Sequence, residues 1–303
     1  MAQLIKLEDY VSRYEWNMYR YPGQFMRLKQ EQWNKLYHLW AGETTDDETE
    51  AEEQASPISK WKALFKRGKR QPEPDPNDEE TLPPTEEELK LYFLNRLYPL
   101  QLKWASSTVR SVSFMKQSYY QDTTLKYFLQ RFPDTYLVMF YPIFQVKQAP
   151  IDGEIILISP VGIDIIYFIE YEPGATILAE DARTWSVVGQ SDGDEMKILS
   201  PMLALKRTEQ IVKSILHAED STFPITKVVL SRMNPIISRL EPYNTAIIGK
   251  QKYEEWFTEK RKLVSPLKSK QLEAAALLLK HCQTASVKRP EWEDDRDEFA
   301  MGE

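Results

Sequence analysis

A single cysteine, Cys282, leaves no internal disulfide to form in this 303-residue chain. That usage fits a reducing cytoplasm. The three histidines, His38, His217 and His281, lie far apart in sequence, so neither Cys nor His pairs supply a zinc site. His217 and His281 fall in the last turns of expected helices, where a cation suits the helix dipole. Ten scattered glycines form no Gly-x-Gly-x-x-Gly, P-loop or Gly-x-Ser-x-Gly pattern. Nucleotide cradling and serine-nucleophile chemistry therefore lack support. Every long apolar run is broken within a few residues by charge or proline, so no transmembrane helix is expected. The opening stretch, MAQLIKLEDYVSRYEW, lacks the basic-then-apolar order of a secretory signal. A formal charge of −7 argues against general coating of nucleic acid, but leaves room for a local basic groove. These absences describe a soluble cytoplasmic protein.

What is present changes character along the chain. Residues 1–40 are rich in aromatic and apolar side chains at helical spacing: Tyr10, Tyr14, Trp16 and Tyr19, then Phe25, Leu28, Trp33, Leu36, Tyr37 and Trp40. They predict an aromatic helical arm, broken near YPGQ. Residues 41–84 are acidic and proline-rich, as expected of a disordered linker. Within it, residues 59–70 reverse the sign of the charge. Trp61 and Phe65 share a helical face there, ringed by Lys60, Lys62, Lys66 and Arg67. Such a segment suits docking to an acidic protein partner, with nucleic acid or an anionic membrane surface as alternatives. It would equally serve to neutralise its acidic flanks or to pack back on the body.

From Thr85 a capping box, Thr85 with Glu88, opens a helix. Helix is expected again over 108–130, up to Pro133. Short β-rich runs follow: TYLVMFYPIFQV, GEIILIS, IDIIYFIEY, ATILA and TWSVV. Ser200 and Pro201 start a long helix. ITKVVLS and TAIIGK are two more strands, and two helices close a domain spanning 85–282. The tail, 283–303, is charged and expected to fray. The fold class is α/β: a mixed sheet of about five or six strands flanked by helices, preceded by the helical arm.

The most informative stretch is APIDGEIILISPVGIDIIYFIEYEPG, which predicts two strands around a turn at Ser159–Gly162, with Pro160 at its second position. Antiparallel pairing would bring Asp152 opposite Ile169 or Glu170. Alternation puts Asp152 with Glu154, and Glu170 with Glu172, on common faces. Converging carboxylates at a sheet edge are what a Mg²⁺ or Mn²⁺ ion needs, and such an ion can turn water into a nucleophile. Acids at strand ends also simply face water and discourage edge pairing.

These residues carry a resemblance. The run from Pro150 to Trp185 is similar to the heart of the nuclease-related (NERD) domain, in the PD-(D/E)xK nuclease-like superfamily. Asp152, Pro160, Gly162, Glu170, Gly174 and Trp185 follow the family order, and the likeness covers roughly residues 108–235. It implies a restriction-endonuclease-like fold, with Asp152 or Glu154 and Glu170 as metal ligands. The departures are specific. Where the family has Glu-x-Lys, this chain has Glu170-Tyr171-Glu172, and a carboxylate there would repel a phosphate and its transition state. The family histidine after the first acid is Gly153, and the early Gly-and-Glu helix motif is missing. A relocated lysine, Lys147 or Lys227, could restore the chemistry. The resemblance thus implies a nuclease-like scaffold that has lost hydrolysis and serves as an interaction or regulatory module without a cofactor. The alternative is a divergent Mg²⁺- or Mn²⁺-dependent nuclease acting on DNA or RNA.

Overall fold

The structure, a computed structural model, describes residues 1–42, 82–147, 149–181, 183–189, 195–238 and 242–289. The basic segment with Lys60, Trp61, Lys62, Phe65, Lys66 and Arg67 lies outside the described residues. Two compact units divide the chain: Gly23–Leu97, and Met1–Pro22 together with Tyr98 onward.

Helix was expected from the first residues, but Gln3–Leu7 form a strand, β1, whose five residues are all buried. Its apolar positions imitate helical spacing, while its polar residues are satisfied from far away. Gln3 Nε2 donates to the Asp134 carbonyl at 2.8 Å, and Lys6 Nζ to Glu15 at 2.6 Å. The helical part of the arm is α1 (Tyr21–Ala41). In the smaller unit it meets the first part of α2 (Glu86–Trp104) through Trp33 and Phe93, with ring centroids 5.3 Å apart. Thr85 caps α2 as expected, its Oγ1 accepting the Glu88 N–H at 3.3 Å.

In the larger unit the expected helix over 108–130 shrinks. Ser111–Val112 form a short strand, β2, Gln117–Tyr120 a 3-10 turn, and α-helix is confined to Thr123–Arg131, α3, capped by Asp122. The β-branched and serine-rich start of that stretch accounts for the difference. Next come β3 (Leu137–Phe140), β4 (Ile143–Val146), β5 (Ala149–Asp152), β6 (Ile155–Ser159) and β7 (Gly162–Phe168). A side sheet follows, built from β8 (Thr176–Ala179), β9 (Thr184–Val188) and β10 (Glu195–Leu199). Helix α4 (Pro201–Ala218) starts on the Ser200 cap with proline at its first position. The remainder is β11 (Ile225–Leu230), β12 (Ile236–Ser238), β13 (Thr245–Ile248), α5 (Lys250–Lys262), α6 (Ser269–Lys280) and β14 (Val287–Lys288).

The main sheet is mixed and six-stranded, in the order β1-β3-β6-β7-β11-β13. Strand β1 is parallel to β3, β6 runs antiparallel to both β3 and β7, and β7, β11 and β13 are parallel. The fold is therefore α/β with a six-stranded mixed sheet flanked by helices. Helices α4 and α6 pack on each other and cover one face. On the other face, Tyr127 and Phe128 of α3, with Phe132, form an aromatic cluster with Phe168 of β7 and Phe257 of α5. Edge-to-face contacts of this kind add to the area they bury. The side sheet has the order β10-β9-β8-β12.

The start of the tail does not fray. Gln283 N–H donates to the Ile143 carbonyl at 2.7 Å, and β14 pairs antiparallel with β2. Residues from 290 lie outside the described set. Among the described residues, no helix is long and apolar enough to cross a membrane.

Candidate functional site

The hairpin forms as its sequence predicts. Ser159 pairs with Gly162, and the Ser159 hydroxyl accepts the Val161 and Gly162 N–H groups at 3.2 and 3.1 Å. Proline at the second turn position supplies the φ that the reversal needs. The ladder stops at Ile155↔Ile166, however, short of the acids. Asp152 belongs instead to the β4–β5 ribbon, where it pairs with Ile143 and is exposed.

Gly153 marks the change of ladder. Its N–H donates to the Pro142 carbonyl at 2.8 Å, and a Cβ there would lie 2.9 Å from the Phe144 ring. A larger side chain at this position would meet the Phe144 ring and the Pro142 carbonyl. Glu154 sits just inside the pinch, half-buried, its N–H bonded to Thr208 Oγ1 of α4 at 3.2 Å. Burial pushes its carboxyl pKa up; Arg207 opposes the shift and Asp152 adds to it.

Glu170 has a different environment. Arg232 grips both of its oxygens, through Nε and Nη2 at 2.8 Å each, and the Arg232 backbone N–H adds a third bond at 3.1 Å. The guanidinium lies 4.4 Å from the Tyr127 ring centroid and 5.0 Å from that of Phe168. Glu170, first through its hydrogen bond, holds the Arg232 pKa above the ordinary value. Two residues on, Glu172 is exposed, and its carbonyl accepts Asn234 Nδ2 at 3.1 Å. Asn234, fully buried, also donates to the Ala175 carbonyl and accepts the Tyr171 N–H.

One register explains both contacts. Strands β7 and β11 pair in parallel with Phe168 opposite Leu230. The same 62-residue offset sets Arg232 beside Glu170 and Asn234 beside Glu172.

Asp164 lies buried in mid-strand, bonded to Lys260 of α5. Burial raises its pKa, and Lys260 opposes that rise. Lys227 is on the opposite face, committed to Glu209 of α4 at 2.6 Å; Glu209 also binds Lys213 at 2.8 Å. Lys147 is exposed after β4, with φ at 58°. Glu154 thus responds to Arg207 and Asp152, Glu170 is bound to Arg232, and Lys227 is engaged by Glu209. Among the described residues, no group of three or more His, Cys, Asp or Glu side chains is arranged to hold a metal ion.

No family model matches the chain, and no solved structure matches it. A curated relative does. The chain is 38% identical over 113 residues to a Geobacillus stearothermophilus protein named RNA 2',3'-cyclic phosphodiesterase. The match covers 33% of this chain and 36% of that protein, so it spans about a third of the relative's length.

Arg232 and Asn234 lie just past the expected strand ITKVVLS, where the sequence assigned them no role. The signal that could have found them is the spacing of Glu-x-Glu and Arg-x-Asn after two adjacent parallel strands. Chemically, the arrangement neutralises Glu170. It leaves Glu154 as an acid whose burial favours its protonated form.

Proposed function

We propose that the chain is a descendant of PD-(D/E)xK nucleases, related to the NERD domain, that has lost hydrolysis and works as an interaction or regulatory module in the cytoplasm. The observation that carries this reading is the double grip of Arg232 on Glu170. A divalent cation at Glu170 would have to displace a guanidinium already bound to both oxygens. The succession α3, β3, β6, β7, α4, β11 supports the ancestry, and Glu172 in the position of the family lysine supports the loss. The partner is a protein, engaged through the basic segment at 59–70; nucleic acid or an anionic membrane remains the alternative at that segment.

The test is Mn²⁺ calorimetry on the wild type and on Asp152→Ala, Glu170→Ala, each followed by nicking of supercoiled DNA. The expected result is no binding that depends on these acids, and no nicking. Micromolar binding that is lost in the double variant, with metal-dependent nicking, would restore the divergent nuclease.

The relative's name favours a second reading, a phosphodiesterase acting on 2',3'-cyclic phosphates. Glu154 would then be the proton-carrying group. Hydrolysis of an oligonucleotide ending in a 2',3'-cyclic phosphate, abolished by Glu154→Gln, would establish it. No turnover would remove it.

A further inference from the structure

Three arginines from separate segments converge on the edge formed by β2 and β14, in the larger unit. The ladder pairs Val287 with Val112 and Lys288 with Ser111, so Arg289 comes next to Arg110; its N–H donates to the Arg110 carbonyl at 2.9 Å. Like charges directly opposite one another on a ribbon destabilise it. Arg13 joins them from the short helical turn Arg13–Glu15, its guanidinium 5.0 Å from the Trp104 ring centroid. The Nε atoms of Arg13 and Arg289 are both buried, and neither has a hydrogen-bond partner among the described residues. Burial lowers the Arg13 pKa and Arg289 lowers it further, while Tyr21 and Tyr14 act the other way. No carboxylate figures among the groups that shift it. A buried guanidinium nitrogen without an acceptor is unfavourable, and Arg13 and Arg289 each carry one.

Aromatic rings stand next to this charge. Trp16 is 62% exposed and Tyr19 60% exposed, and the Arg110 guanidinium lies 5.6 Å from the Trp16 ring. Both rings also line a groove of about 520 Å³ that includes Met18 and Leu279.

We propose that this edge binds single-stranded nucleic acid, with a backbone phosphate between Arg13 and Arg289 and a base stacked in the groove beside Trp16 and Tyr19. Arginine forks match phosphate oxygens, and base–aromatic stacking needs no particular sequence. The exposed rings favour a nucleic acid over free phosphate or a lipid headgroup, which would leave them unused. The site goes beyond the interaction module proposed above. It is independent of metal and of Glu170, so either proposal can fail without the other.

The test is fluorescence anisotropy with the full chain and a labelled single-stranded RNA of about ten nucleotides, within the length one such site spans. The expected result is binding that weakens at least about tenfold in Arg13→Gln, Arg289→Gln, as for loss of charge-assisted phosphate contacts. Arg183→Gln, in the side sheet, should bind as wild type does. Between one and two phosphates neutralised would give a slope of log affinity against log salt of about −0.7 to −1.4. Circular dichroism should show the double variant folded, with at most a small fall in melting temperature from loss of the Arg13 contact with Trp104. Three results would overturn the proposal: no binding by wild type, equal binding by the double variant, or displacement of the RNA by inorganic phosphate at equal concentration. Binding of phosphatidylglycerol vesicles in place of RNA would overturn it too.

Discussion

Replacing Arg232 by Met tests whether the grip on Glu170 has structural weight. The two side chains are only 26% and 17% exposed. Removing one partner of a fully buried ion pair costs about 3–5 kcal/mol, because the remaining charge is stranded. Water reaches part of both groups here, so about half of that range applies, roughly 2 kcal/mol. The guanidinium also sits over Tyr127 and Phe168, a contribution of about 1 kcal/mol that a thioether partly replaces. The expected loss for Arg232→Met is therefore about 2–3 kcal/mol. Converting the stranded acid to an amide should recover part of it, making Glu170→Gln, Arg232→Met more stable than Arg232→Met alone. The assay is urea unfolding followed by both fluorescence and circular dichroism, with the coupling taken from the double-mutant cycle. A single-variant loss below about 0.5 kcal/mol, with no coupling, would show a screened surface pair. Glu170 would then be open to other partners, and the main support for a silent site would be gone.

Two further perturbations probe the hinge before β6. Gly153→Ala should destabilise by about 1–3 kcal/mol through overpacking, since its Cβ meets both the Phe144 ring and the Pro142 carbonyl; an unchanged urea midpoint would refute the close approach. Glu154→Gln should stabilise the protein at neutral pH. Burial raises the folded carboxyl pKa above the unfolded value of 4.5, so the penalty is full above the folded pKa and is relieved as pH falls toward 4.5. Melting temperatures should thus separate wild type from Glu154→Gln at pH 7 and converge under acid; a gap that widens on acidification would reverse the sign of the argument.

Local signals were legible in the sequence wherever a segment decides its own conformation. Alternation in IILIS and IDIIYF, Pro160 in the turn, and the Ser200–Pro201 start of α4 each specify local geometry without distant help. The first strand was not legible, because QLIKL is held by partners remote in sequence. Gln101 Oε1 accepts the Leu4 N–H at 2.9 Å, and Thr284 accepts from Lys6 at 2.9 Å. Its lysine and glutamine pass for solvent-facing residues until those partners are known. The acids raised the same difficulty. Their number and position were plain, but the ladder that would have joined Asp152 to Glu170 ends at Ile155, where Gly153 turns the chain into another ribbon.

The cation that answers Glu170 lies beyond any local window, on the neighbouring parallel strand. Under the proposed descent, the missing lysine and the added arginine belong to one change. A lysine at position 172 would stand two residues along the same strand from Glu170, with its ammonium free to meet a substrate. Arg232 arrives from the adjacent strand and directs its fork at the carboxylate itself. The cation is retained near the strand end, but its donors are consumed by the protein. Restoring lysine at 172 alone should therefore leave the site inactive, since Glu170 would still be bound on both oxygens. Catalysis would require release of Arg232 as well, and nicking by Glu172→Lys with Arg232 intact would refute this account of the loss.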